Sequence, residues 1–291
     1  MMPPVDKITV SDIVRKKKDN KKISVVTCYD YPTAILAEKA GIDILLVGDS
    51  GGMVSLGYNN TIPVTMREML TMARAVSRGA SMPFLIGDMP FMSFNVSKEQ
   101  AIKNAGKFVK DAGMDAVKIE GGSKFQDTIR AITDAGIPVM GHIGLTPQTA
   151  PLWSGYKMQG ASSASGRDLI EDAKALRDAG AFSVVLEMVT NQVAELISKN
   201  IDIPTIGIGS GPSCDGQVLV MHDILGLYDK FLPRFAKRYA NLGSEILSAL
   251  RKYQTEVVDG TFPSKPHTSE MDPREFRKLT SLLKKEGLIA K

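Results

Sequence analysis

Four apolar runs of this chain end in a carboxylate: Ile44-Leu45-Leu46-Val47-Gly48-Asp49, Phe84-Leu85-Ile86-Gly87-Asp88, Met114-Asp115-Ala116-Val117-Lys118-Ile119-Glu120 and Phe182-Ser183-Val184-Val185-Leu186-Glu187. Side chains alternate faces along a strand, so Lys118 and Glu120 leave one face, and Val117 and Ile119 the other. An ammonium and a carboxylate then stand side by side. Asp49, Asp88 and Glu120 are each about one strand-and-helix unit apart, and consecutive strands of a barrel are neighbours, so the three are expected to converge. Carboxylates gathered without His or thiolate partners repel one another unless a hard cation lies among them. Oxygen-only ligands favour Mg²⁺ or a similar ion over Zn²⁺. The competing explanation is that these acids only cap the helices that follow.

Other residues could serve the same mouth. The loop Gly48-Asp49-Ser50-Gly51-Gly52-Met53 is either an ordinary tight turn or a cradle whose amides and Ser50 hold a substrate carboxylate. His142 closes the run Pro138-Val139-Met140-Gly141 and is either a hydrogen-bonded structural residue or part of a substrate pocket. His222 is expected near the same rim, and His267 in a polar tail takes no part. The loop Gly207-Ile208-Gly209-Ser210-Gly211-Pro212 lies where many barrels bind phosphate. Against a phosphate there, Asp215 is expected to bring a negative charge close by. Cys28 and Cys214 are too few for a disulfide framework or a zinc site.

The elements that must position these groups alternate. Residues 23–27, 43–48, 83–87, 116–120, 138–142, 182–187 and 204–209 read as strands. Between them, helices with apolar residues at i, i+3 and i+4 are expected over 32–39, 65–77, from Ser97, over 124–135, 166–179 and 192–199. Gly41, Gly113, Gly136 and Gly180 sit in similar helix-to-strand junctions, where glycine takes the left-handed cap conformation. Alternation of this kind implies a parallel sheet, and over this length an α/β (β/α)8 TIM barrel. A short helix capped by Thr9 or Ser11 precedes it. The eighth strand is expected at 230–235, and a closing helix over 236–258. Residues 1–262 then form one catalytic barrel, and 263–291 a polar, helical extension with a charged helix at 273–286.

Composition narrows the function. With 43% hydrophobic and 23% charged residues and no apolar stretch of the roughly 18 residues a span requires, a membrane partner is not expected. The N-terminus has no apolar signal core, so a cytoplasmic location is expected. The net charge of +4 comes partly from clusters such as Arg15-Lys16-Lys17-Lys18, which read as solvated helix faces rather than a nucleic-acid surface.

Several motifs, in order, resemble the ketopantoate hydroxymethyltransferase (3-methyl-2-oxobutanoate hydroxymethyltransferase) family over residues 9–262. They are Thr27-Cys28-Tyr29-Asp30, Val47-Gly48-Asp49-Ser50, Gly87-Asp88-Met89-Pro90-Phe91, Val117-Lys118-Ile119-Glu120-Gly121-Gly122, Gly141-His142-Ile143-Gly144-Leu145-Thr146-Pro147-Gln148, Leu186-Glu187, Ile206-Gly207-Ile208-Gly209-Ser210-Gly211 and Asp215-Gly216-Gln217-Val218-Leu219-Val220. The resemblance implies a barrel of the phosphoenolpyruvate/pyruvate-binding type. It also implies Mg²⁺ on Asp49, Asp88 and Glu120, oxo-acid contacts from Asp49, Ser50, Asp88 and Lys118, and Glu187 as general base. The implied reaction carries a hydroxymethyl group from 5,10-methylenetetrahydrofolate to 3-methyl-2-oxobutanoate through a Mg²⁺-stabilised enolate, in a homodecamer built as a pentamer of dimers. Two rivals differ in class. A lyase or mutase of the same superfamily would need a reactive Cys in a flexible loop, and a scaffold protein would be expected to have lost one of the acidic strand ends.

Overall fold

The computed structural model describes residues 6–149, 157–228 and 232–290, which fall into two compact units, Met1–Ala240 and Asn241–Lys291. Residues 150–156, in the expected loop after the fifth strand, and Lys230 and Phe231 of the expected eighth strand, lie outside the described residues.

The first unit begins with α1 (Val10–Lys18), where Thr9 and Asp12 form a reciprocal capping box. Eight parallel strands then close into a barrel in chain order: β1 (Ile23–Thr27), β2 (Ile44–Val47), β3 (Phe84–Asp88), β4 (Ala116–Glu120), β5 (Val139–Gly144), β6 (Ser183–Glu187), β7 (Thr205–Ile208) and β8 (Gly216–Leu219). Closure is direct, with Val25 of β1 opposite Val218 of β8. The intervening helices are α2 (Tyr31–Lys39), α3 (Gly51–Val54), α4 (Met66–Gly79), α5 (Lys98–Ala112), α6 (Gln126–Asp134), α7 (Ser163–Asp178), α8 (Asn191–Asn200) and α9 (Met221–Leu225). The four junction glycines adopt positive φ, from 70° at Gly113 to 91° at Gly180, as the sequence pattern requires.

Two apolar layers follow from the period-2 alternation of the strands. Leu45, Val47, Leu85, Val117, Ile119, Val184 and Leu186 face outward and pack under the helices. Ile23, Val25, Ile44, Leu46, Phe84, Ile86, Met140, Val185 and Ile206 fill the interior, where Ile13 of α1 joins them. The barrel is therefore a packed core, plugged at its N-terminal end.

Three expectations are corrected. The eighth strand is Gly216–Leu219 rather than 230–235, because Val218 supplies the inward side chain that pairs against β1. The helix expected from 236 begins at Leu242, since the amides of Tyr239 and Ala240 are committed to the Ile224 carbonyl. The compact units divide at 240/241, not at 262/263, which assigns α10 (Leu242–Val258) to the second unit with α11 (Pro273–Lys285). No residue of α10 or α11 is buried, and Ile246, Leu250, Tyr253, Phe276 and Leu282 are exposed. Among the described residues no helix is long and apolar enough to cross a membrane.

Candidate active site

The interior columns of β3, β4, β5 and β6 become polar at their C-terminal step. Phe84 and Ile86 are followed by Asp88, Ala116 by Lys118 and Glu120, Met140 by His142, and Val185 by Glu187. Period-2 geometry thus delivers these five side chains to one mouth. Asp49 arrives from the turn after β2, and its amide donates to Asp88 Oδ2 at 3.3 Å.

Lys118 lies at the centre. Its Nζ is 2.6 Å from Asp88 Oδ1 and 3.9 Å from Glu120 Oε1, with all three side chains buried. Gln148 ties the carboxylates from above: its amide N donates to Glu120 Oε2 at 3.1 Å, and its Nε2 to Asp49 Oδ2 and the Met89 carbonyl, each at 3.0 Å. His142 stands between two acids, Nδ1 3.5 Å from Glu120 Oε1 and Nε2 3.2 Å from Glu187 Oε2. Neither contact is aligned as a hydrogen bond. Ser50 Oγ pairs with Tyr29 Oη at 2.9 Å. Gly51 and Gly52 are required by packing: an added Cβ would come within 2.6 Å of the Tyr29 ring or 2.2 Å of Val64.

Electrostatics follow from burial and crowding. Burial, then the neighbouring Asp88 and Glu120 charges, hold the Asp49 carboxyl well above the usual range. Burial also raises Asp88 in spite of Lys118. For Glu120 the burial penalty is outweighed by His142, Lys118 and the Gln148 amide, so its carboxyl is lowered. Burial and Lys118 pull His142 down, but Glu120 and Glu187 outweigh them and hold it at about 9. Burial likewise opposes the charge on Lys118, yet Asp88, Glu120 and Asp49 keep its ammonium above the ordinary value.

None of these acids caps a helix. The caps are Thr9, Asp30, Thr65, Ser97, Ser162 and Asp272, so the capping explanation fails for the strand ends. Among the described residues no group of three His, Cys, Asp or Glu side chains is arranged to hold a metal ion by itself. The donor chemistry nevertheless fits a hard cation. A cation among these oxygens would relieve the crowding that holds the Asp49 carboxyl up, and Mg²⁺ is ordinarily bound through one or two carboxylates plus water and substrate.

The family model of ketopantoate hydroxymethyltransferase matches residues 7–265. The chain belongs to that family. It is 57% identical to the 3-methyl-2-oxobutanoate hydroxymethyltransferase of Nitrosopumilus maritimus over 93% of this chain and 97% of that one. It is 51% identical to the Syntrophobacter fumaroxidans protein of the same name, over 95% and 98%. Membership makes this barrel one of a family of transferases. Among solved structures, phosphoenolpyruvate phosphomutase from Streptomyces platensis aligns with TM-score 0.58 at 17% identity, over 97% of this chain and 96% of that one. 2,3-Dimethylmalate lyase aligns at 0.56 and 18%, over 96% of each chain. These likenesses are of fold alone, a closed parallel α/β barrel.

For this family member, the structure brings together Asp49, Ser50, Asp88, Lys118, Glu120, His142 and Glu187. Ser210 is committed elsewhere, its hydroxyl donating to the Leu186 carbonyl at 2.7 Å and accepting from the Val189 amide at 3.0 Å, so it is not free for a phosphate. Asp215 is a correction: it pairs with Lys17 of α1 and the Thr205 amide, at the opposite end of the barrel from the mouth. Cys28 and Cys214 are buried, and burial pushes both thiols up, which removes the reactive loop cysteine a lyase would need. His222 packs its ring 5.4 Å from Tyr29. Sequence reasoning missed Gln148 and Tyr29 as positioning residues. Both lie within recognised motifs, but their partners are 99 and 21 residues away in the chain.

Proposed function

We propose that this chain transfers a hydroxymethyl group from 5,10-methylenetetrahydrofolate to 3-methyl-2-oxobutanoate, the first step of pantothenate synthesis. The observation that carries it is the buried Asp49, Asp88, Lys118 and Glu120 cluster, with Glu187 set apart on β6 beside His142. The net reaction consumes one water. The C3–H bond breaks and the folate's one-carbon unit forms the new C–C bond. Both of its C–N bonds break, water supplies the hydroxyl group and one proton, and that proton with the one from C3 completes the two N–H bonds of tetrahydrofolate.

Lys118 and Ser50 hold the oxo acid's oxygens, and the Lys118 ammonium stabilises negative charge as it develops there. Glu187 takes the proton from C3, oriented by the His142 ring 3.2 Å away. Asp49, Asp88 and Glu120 would hold Mg²⁺, which supplies Lewis-acid polarisation of the keto oxygen. Support comes from the names of relatives about half identical to this chain, and from phosphonopyruvate hydrolase, a barrel of like fold whose structure contains oxalate and Mg²⁺. With this function go a cytoplasmic location and a homodecamer built as a pentamer of dimers, for which exposed Ile246, Leu250 and Tyr253 offer an apolar contact surface.

The test is deuterium exchange at C3 of 3-methyl-2-oxobutanoate, followed by NMR with protein and Mg²⁺, first without and then with 5,10-methylenetetrahydrofolate. Metal-dependent exchange followed by 2-dehydropantoate on adding the folate is the expected result. Exchange without that product would mean a different one-carbon donor, and the absence of both exchange and product would overturn the function altogether.

A further inference from the structure

A cleft of about 510 Å³ opens between the segments that follow β2 and β3, lined by Ile62, Val64, Met66, Phe91, Ser93 and Gln100 among others. Two contacts fix its place. Val64 is the residue that an added Cβ on Gly52 would strike, in the turn that begins at Asp49, and Phe91 follows Asp88 closely in the loop after β3. That loop is held at the mouth by the Gln148 bond to the Met89 carbonyl. The cleft is large enough for a flat heterocycle.

Its walls are neutral: no lining residue carries a charge. An oxo acid or a phosphate therefore finds no counter-ion there. Two buried polar atoms of the lining lack any partner among the described residues, the Ser93 hydroxyl and Gln100 Oε1. Asn104 is already committed, to the Ser93 carbonyl and to Lys107. Buried polar atoms are nearly always paired, so an unpaired acceptor and an unpaired hydroxyl in one lining point to a ligand that supplies the missing partners. Met92, also in the wall, holds a left-handed φ of 64°, its amide tied to Asn95 Oδ1 at 2.8 Å. Strain of this kind in a non-glycine residue is characteristic of ligand walls.

We propose that this cleft seats the pteridine ring of the one-carbon donor. The ring edge offers N–H groups to Gln100 Oε1 and acceptor atoms to the Ser93 hydroxyl, while Ile62, Val64, Met66 and Phe91 cover its faces. The assignment rests on the proposed transfer, in which the carboxylate cluster is occupied by the oxo acid and the donor needs a second wall within reach of C3.

The experiment separates the two. With Mg²⁺-loaded protein, Gln100→Leu is expected to raise KM for 5,10-methylenetetrahydrofolate about five- to tenfold, the loss of one hydrogen bond, with Ser93→Ala smaller. KM for the oxo acid and folate-free C3 exchange stay at wild-type values. Ile62→Trp, which fills the cleft from a half-buried position, should weaken calorimetric binding of tetrahydrofolate. Unchanged donor KM in the polar variants with unchanged tetrahydrofolate affinity in Ile62→Trp overturns the cleft while leaving the transfer intact. So does loss of C3 exchange in step with donor KM. Wild-type protein that exchanges C3 but yields no product from the donor overturns the transfer itself.

Discussion

The two ends of this barrel use the same residue types to opposite effect. At the N-terminal end each buried charge has its partner. Asp43 takes Lys16 and the Ser24 amide, Asp215 takes Lys17 and the Thr205 amide, and Ile13 plugs the core between them. At the C-terminal end the buried carboxylates of Asp49, Asp88 and Glu120 crowd around Lys118 and His142, and both His142 nitrogens and Gln148 Oε1 have no aligned hydrogen bond among the described residues. The closed end spends its polar groups on holding α1 in place. The open end keeps unmet hydrogen-bonding capacity around its crowded carboxylates, a feature of sites that bind ligands.

The comparison breaks most visibly at Glu187. Glu187→Gln is expected to cut turnover by about 10²–10⁴-fold while Mg²⁺-dependent oxo-acid binding survives; loss of that binding would refute its role as base. Next comes Asp88→Ala, which takes from the buried Lys118 its partner at 2.6 Å and leaves only Glu120 at 3.9 Å. Metal and oxo-acid affinity should fall together, and urea unfolding should show a loss of about 3–5 kcal/mol. Oxo-acid affinity indifferent both to this change and to a chelator would sink the metal site.

At the closed end, Ile13→Ala should cost about 2–4 kcal/mol in urea unfolding by opening a cavity in the plug, with kcat unchanged. A fall in kcat without loss of stability would mean that the two ends are coupled. The smallest effect is expected at the buried Asp223 of α9, whose carboxyl burial raises to about 6, with Arg238 opposing. Because its folded pKa exceeds the ordinary value of 3.8, its contribution to stability is complete below about pH 4 and is lost as pH rises through 6. Asp223→Asn should therefore gain on wild type between pH 4.5 and 7.5 in paired urea titrations. A difference that does not change with pH would show that Asp223 does not titrate there.

Much of the fold was legible because its signals are local. Alternation set the strands 23–27 and 116–120 to the residue, and the junction glycines marked where helices yield to strands. The acids at the strand ends were legible for the same reason: period-2 alternation and chain-order neighbours bring Asp88, Lys118 and Glu120 to one mouth without further information. The eighth strand escaped because four residues, Gly216–Leu219, carry too little periodicity to compete with the longer apolar stretch downstream. Likewise 236–240 looks helical on propensity, but a tertiary bond to the Ile224 carbonyl holds it open.

The sequence by itself determined the chemistry available, namely which strand ends carry carboxylates, the lysine among them and the spacing that closes a barrel, since all of these follow from local periodicity. Only the tertiary structure decided how those groups are paired. Gln148 over Asp49 and Glu120, His142 between Glu120 and Glu187, Asp215 at the far end with Lys17, and the neutral cleft between residues 62–66 and 91–93 all depend on contacts between residues distant in the chain. Such pairings depend on three-dimensional distance and burial, and no local pattern of residues encodes them.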